Sequence, residues 1–96
     1  MVWRLSGLTG SEPGHLELRS GRLSFTPIEP GKPGFDVPVT DVQDINFPWH
    51  YLGGGFKVRI GETQYRFSFI EPHNEFADIG AGRESGKAWK KLLLNK

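Results

Sequence analysis

The chain contains no cysteine. Without thiols there is no disulfide framework, no zinc–thiolate site and no thiol nucleophile, and the composition suits a reducing compartment. Long hydrophobic runs are missing as well. No stretch approaches the roughly 20 apolar residues of a membrane span, and no apolar run of about 7 to 15 residues follows Met1-Val2-Trp3-Arg4 to make a signal peptide. A soluble, cytoplasmic protein with no transmembrane segment is therefore expected. An excess of one charge is the third absence: twelve basic residues stand against eleven acidic ones, for a net charge of +1. General nucleic-acid binding, which draws on many unopposed cations, is not expected.

What is present describes a small, turn-rich β domain. A chain of 96 residues makes one domain, 1–96, able to bury about 60 to 68% of its unfolded surface without staples. Thirteen glycines and seven prolines suit frequent turns, while the seven phenylalanines and three tryptophans are too many for a disordered chain.

The clearest signal is Phe56 to Phe69, FKVRIGETQYRFSF, in which apolar and polar residues alternate on both sides of Gly61-Glu62. A two-residue loop there pairs Ile60 with Thr63, Val58 with Tyr65 and Phe56 with Phe67 on one face. Arg59 then lies beside Gln64, and Lys57 beside Arg66, on the other. Glycine first in the loop suits a type II′ turn. His15 to Thr26 reads as a second hairpin around Ser20-Gly21, with Leu18 facing Leu23, Leu16 facing Phe25 and Arg19 opposite Arg22. That like-charged pair either splays into water or is held for an anion.

Weaker signals fill the rest. Residues 2 to 6 form a first strand, cut off by turn formers from Gly7 to Gly14. Pro27 to Gly34 is a loop, and Phe35 to Val39 is a short strand whose Pro38 implies an edge or a strand end. Ile45, Phe47 and Trp49 alternate as a further strand, which puts Trp49 in the core, and Gly53-Gly54-Gly55 is either a flexible loop or a place where backbones approach closely. Asn74 caps a short helical piece carrying Phe76 and Ile79, broken by Gly80 and Gly82. Arg83 to Asn95 reads as a terminal helix with Gly86, Trp89, Leu92 and Leu93 on one face.

Catalytic and metal signals are poor. Residues 81 to 88, AGRESGKA, nearly match a phosphate-cradling loop, but Ala88 stands where a hydroxyl must reach magnesium and no parallel βαβ frame surrounds it. A helix start with close-packed small residues is the better reading. His15, His50 and His73 do not fall at metal-ligand spacings, and no nucleophile, base and orienter converge. The chain reads as no enzyme, with no cofactor. Two binding surfaces are open: Arg19, Arg22, Lys57, Arg59 and Arg66 as an anion or lipid-headgroup site, and Tyr51 and Leu52 with the edge residues Val37 and Val39 as a protein-interaction patch.

Gly14 to Phe25, the corner Phe35-Asp-Val-Pro-Val-Thr-Asp-Val42, the hairpin with Tyr65-Arg-Phe-Ser-Phe69 and a last helix with Trp89 and Leu92-Leu93 together resemble the GRAM and bacterial PH-like group of the pleckstrin-homology superfamily. The resemblance spans nearly the whole chain. It implies a mainly β, α+β fold: a PH-like, bent antiparallel barrel or sandwich of seven strands closed at one end by the C-terminal helix. Lipid-binding members hold inositol phosphates with basic residues in and beside the first hairpin loop, where Arg19 and Arg22 lie; other members bind peptides or assemble with themselves. The expected role is a binding module for a protein partner or a second copy. The alternative is peripheral binding of anionic lipid headgroups, with transient contact at a membrane surface.

Overall fold

The computed structural model describes residues 1–94. Seven antiparallel strands form one nearly closed, barrel-like sheet, followed by one C-terminal helix: β1 (Val2–Ser6), β2 (Gly10–Arg19), β3 (Arg22–Pro27), β4 (Phe35–Pro38), β5 (Val42–Asn46), β6 (Gly55–Ile60), β7 (Thr63–Ser68) and α1 (Ile79–Leu94). The strand order is β4-β3-β2-β1-β7-β6-β5, so β4 and β5 are the two edges.

Both hairpins have the register their alternation dictates. In β6–β7, Phe56 pairs with Phe67, Val58 with Tyr65 and Ile60 with Thr63. Of the two loop residues only Gly61 has positive φ (62°), the pattern of a type II′ turn. In β2–β3, Leu16 pairs with Phe25, Leu18 with Leu23 and Arg19 with Arg22. Here both Ser20 (53°) and Gly21 (74°) take positive φ, the type I′ alternative, whose twist matches that of the strands.

The inward residues of these pairs build the core. Phe25, Phe56, Phe67, Leu23, Val58 and Leu93 are fully buried. Phe56 stacks between Phe67 (5.3 Å) and Phe69 (5.6 Å), and Phe25 meets Phe67 at 5.4 Å between ring centroids. A cluster of this kind is worth about 0.5–1.5 kcal/mol per ring pair beyond its area. The inward side of β1 is set by Val2 and Arg4, and the Arg4 guanidinium sits 4.8 Å from the Phe25 ring centre, a cation–π contact that lets a cation occupy a core-facing position.

The boundaries differ from expectation in three places. First, β2 begins at Gly10, so most of the supposed turn region is strand, paired with β1 from Ser6↔Gly10 to Val2↔Gly14. Pro13 is tolerated because its carbonyl accepts from Ile28 N (3.1 Å). Its missing N–H therefore points to the side where β3 has run out, away from the β1 ladder. Gly14 is required there, since a Cβ would lie 2.5 Å from Phe25 Cζ. Second, β5 stops at Asn46 after a register shift between Gln43 and Asn46, with Asp44 at φ 52°. Ile45 and Phe47 still pack against the core, so the alternation fails at Trp49 alone. Third, α1 begins at Ile79 and runs through Gly80 and Gly82. Asp78 Oδ1 accepts from Ala81 N (2.9 Å) as its cap, while Asn74 Oδ1 accepts from Phe76 N (2.9 Å) in a turn of its own. The expected end at Asn95 lies outside the described residues.

α1 docks through Gly82, Gly86, Trp89 and Leu93, spaced as one helical stripe. Leu93 enters the core and Trp89 packs against it, whereas Leu92 is half exposed.

Candidate functional site

The five basic residues do not form one patch. Arg19 and Arg22 stand at the β2–β3 tip, and Lys57, Arg59 and Arg66 on the outer face of β6–β7. Arg66 lies beside Leu5 in the β1–β7 ladder and Leu5 pairs with Ser11. Arg19 is eight residues further along β2, a contour of roughly 27 Å at about 3.4 Å per residue. Three of the five are also engaged. Arg22 Nε meets Asp36 Oδ1 at 2.8 Å, and Arg59 Nε meets Asp44 Oδ2 at 2.7 Å while also reaching Gln43 Oε1 and the Gly61 carbonyl. Arg66 donates to the Gly7 carbonyl at 2.7 Å.

Nor do the four apolar candidates share a surface. Val37 faces Leu23 across the β3–β4 ladder and packs on the core. Val39 is half-buried, its N–H held by the Gly21 carbonyl (2.8 Å). Tyr51 is half-buried in a groove on the outer face of β1 and β7 with Leu5, Ser68 and Ile70. That groove continues past Arg66 into a hollow of about 400 Å³. Leu52 alone is well exposed, at 57%.

The residue that pattern reading placed wrongly is Trp49, which is 85% exposed. Pro48, at φ −57°, ends the strand path and opens a 3₁₀ turn over Trp49–Tyr51. That turn rotates the next side chain out of the strand's alternation. The turn is tightly held: Tyr51 N donates to Pro48 O (3.0 Å), Leu52 N to Trp49 O (3.0 Å) and Gly54 N to Tyr51 O (2.8 Å). Trp49, His50 and Tyr51 present three consecutive rings edge to face, at 5.8 and 4.8 Å. Pro48 directly before Trp49 was the signal available in the sequence.

Leu52 closes the turn in the left-handed region (φ 53°, ψ 34°). Among the described residues, the other non-glycine positions with positive φ are Ser20, Asp44 and His73. Asp and His tolerate that region through local hydrogen bonding and Ser20 is a hairpin turn residue; a leucine has no such compensation and costs about 1–2 kcal/mol. Strain of this kind gathers at binding surfaces.

Between the turn and α1 lies a cleft of about 200 Å³. Phe47, Pro48, Trp49 and Leu52 line one side, Lys87 and Lys90 the other, and the backbone of Gly53 and Gly86 the floor. The helix segment that resembled a phosphate loop is used for this packing. A Cβ at Gly82 would overlap Ile70, and one at Gly86 would overlap the Gly53 carbonyl.

Among the described residues no group of three His, Cys, Asp or Glu is placed to hold a metal ion, and no helix is long and apolar enough to cross a membrane. Compared with family models, with curated proteins and with solved structures, the chain matches none.

Proposed function

We propose that the chain is a non-enzymatic binding module that engages a protein partner through the Trp49–Leu52 turn. The observation that carries this reading is a tryptophan 85% exposed on a turn pinned by backbone hydrogen bonds and bordering a cleft. A covered aromatic ring removes about 150–250 Å² from water, and tryptophan is the residue type most enriched among interface hot spots. The pinned backbone means that little ordering entropy is lost on binding. Phe76 is as exposed (87%), but what singles out Trp49 is the cleft it shares with Leu52.

The seven-stranded sheet and single C-terminal helix support the likeness to the GRAM and bacterial PH-like group, a fold that hosts many unrelated roles. Headgroup binding through Arg19, Arg22, Lys57, Arg59 and Arg66 has less support, because these residues stand in two separate groups and three of them already have partners.

The test is site-specific photo-crosslinking in extract of the source cells, with p-benzoylphenylalanine at position 52 and, as control, at the exposed hairpin tip residue Glu62. A discrete protein adduct from position 52 that is absent from position 62 and abolished by Trp49→Ala is expected. Adducts of equal yield from both positions, or none from position 52, would refute the reading.

A further inference from the structure

We infer that the occupant of the Trp49 cleft is an acidic segment of a partner protein carrying one aromatic or aliphatic anchor side chain. The inference rests on the protein-binding reading of the turn and adds the chemistry of what fills it.

Charge is segregated in this chain. α1 holds Arg83, Lys87, Lys90 and Lys91 against Glu84 alone, while the rest of the sequence holds eight cations and ten carboxylates. A nearly neutral protein thus presents one cationic helix, and Lys87 and Lys90 of that helix form a wall of the cleft. Lys87 lies 3.5 Å from Glu84 across one exposed helical turn, an arrangement worth only about 0.3–0.5 kcal/mol. Lys90 and Lys91 have no acidic partner among the described residues. The apolar side of the cleft is therefore uncovered, and on its cationic side Lys90 has no acidic partner among the described residues and Lys87 has only a weak, exposed one.

Shape separates the possible occupants. The cleft is concave, floored by glycine backbone, and its 200 Å³ would hold roughly six or seven waters at about 30 Å³ each, enough to seat one side chain. A membrane surface is met by an array of protruding rings and cations; here Trp49 borders a cleft that Lys87 and Lys90 also line, which suits one inserted side chain flanked by charge. A second copy of the chain, paired through the same face, would bring two sets of Lys87 and Lys90 into one interface and add like charge. An anchor residue flanked by carboxylates satisfies both walls at once.

The experiment is a titration of the whole ¹⁵N-labelled chain, followed by its three tryptophan indole N–H signals and the amides of Lys87 and Lys90. Three blocked nine-residue peptides are added at low and at 0.3 M salt: a central Phe flanked by Asp and Glu, by Asn and Gln, or by Lys. Vesicles of phosphatidylserine and phosphatidylcholine form a fourth arm. The acidic peptide is expected to shift the Trp49 indole and both lysine amides more than the Trp3 indole. It should bind at least tenfold more tightly than its neutral match, weaken several-fold in salt, and lose about tenfold in Lys87→Glu/Lys90→Glu. Neutral and acidic peptides binding equally at Trp49 would overturn the acidic chemistry and leave the protein-binding reading intact. No peptide moving the Trp49 indole would overturn both. Lysine shifts without Trp49, or vesicle binding with no peptide binding, would also overturn the inference.

Discussion

Gly86 of α1 lies against Gly53 so closely that a Cβ at position 86 would overlap the Gly53 carbonyl oxygen and stand 2.7 Å from its carbon. Two backbones meet there, and neither neighbour is a flexible side chain able to swing aside. Gly86→Ala should therefore destabilise by about 2–3 kcal/mol through overpacking, although alanine is the better helix former by about 1 kcal/mol. Denaturant unfolding of the two proteins checks this.

Gly80 is the internal control for that claim. A Cβ there meets only Asp78 Oδ1, at 3.6 Å. Gly80→Ala should stabilise the chain by roughly 0.5 kcal/mol, because the helix propensity gain is then unopposed. Opposite signs for two identical substitutions on one helix would locate the docking contact.

Adjacent leucines make a similar contrast. Leu93 is fully buried and Leu92 is 52% exposed, so Leu93→Ala should cost about 2–5 kcal/mol and Leu92→Ala under about 1 kcal/mol. Equal losses would mean that the helix docks on a different face.

Leu52 should show stability and binding in opposition. Its left-handed backbone (φ 53°) is unstrained for glycine, so Leu52→Gly is expected to stabilise by about 0.5–1 kcal/mol, a rise in Tm of a few degrees for a domain of this size. The same change removes part of the cleft's apolar lining and should weaken partner binding. A variant that lost stability would show that Leu52 is a packing residue instead.

The ion pairs on the outer face should matter little. Arg22–Asp36 and Arg59–Asp44 are formed by side chains 39–69% exposed, and Arg22→Ala or Arg59→Ala should each cost no more than about 1 kcal/mol in thermal or chemical denaturation.

Period-two alternation was enough to read the hairpins at Gly61 and Ser20-Gly21, because a one-residue slip would turn Phe56, Val58 and Phe67 out of the core. The same rule failed at Trp49. Ile45 and Phe47 still pack against the core, but Pro48 then opens a 3₁₀ turn that carries Trp49 out of the alternation. The start of α1 was misplaced because Gly80 and Gly82 argue against a helix on propensity, whereas close packing on Phe69 and Ile70 demands glycine at position 82. The triple glycine offered two readings, and a Cβ at Gly55 would lie 2.6 Å from the Phe67 carbonyl oxygen, which is close approach of backbones. The cleft was illegible for a more general reason: it joins residues 47–53 to residues 86–90, and no local pattern records that meeting.

The central claim is that the Trp49 turn is the binding surface. The most direct measurement is a random-peptide display selection on the intact chain, with each enriched peptide then measured by calorimetry against wild type and Trp49→Ala. The account predicts enriched peptides whose affinity falls at least tenfold in the variant, with its melting temperature unchanged. Enriched peptides that bind both proteins equally, or a selection that yields no binder, would contradict it.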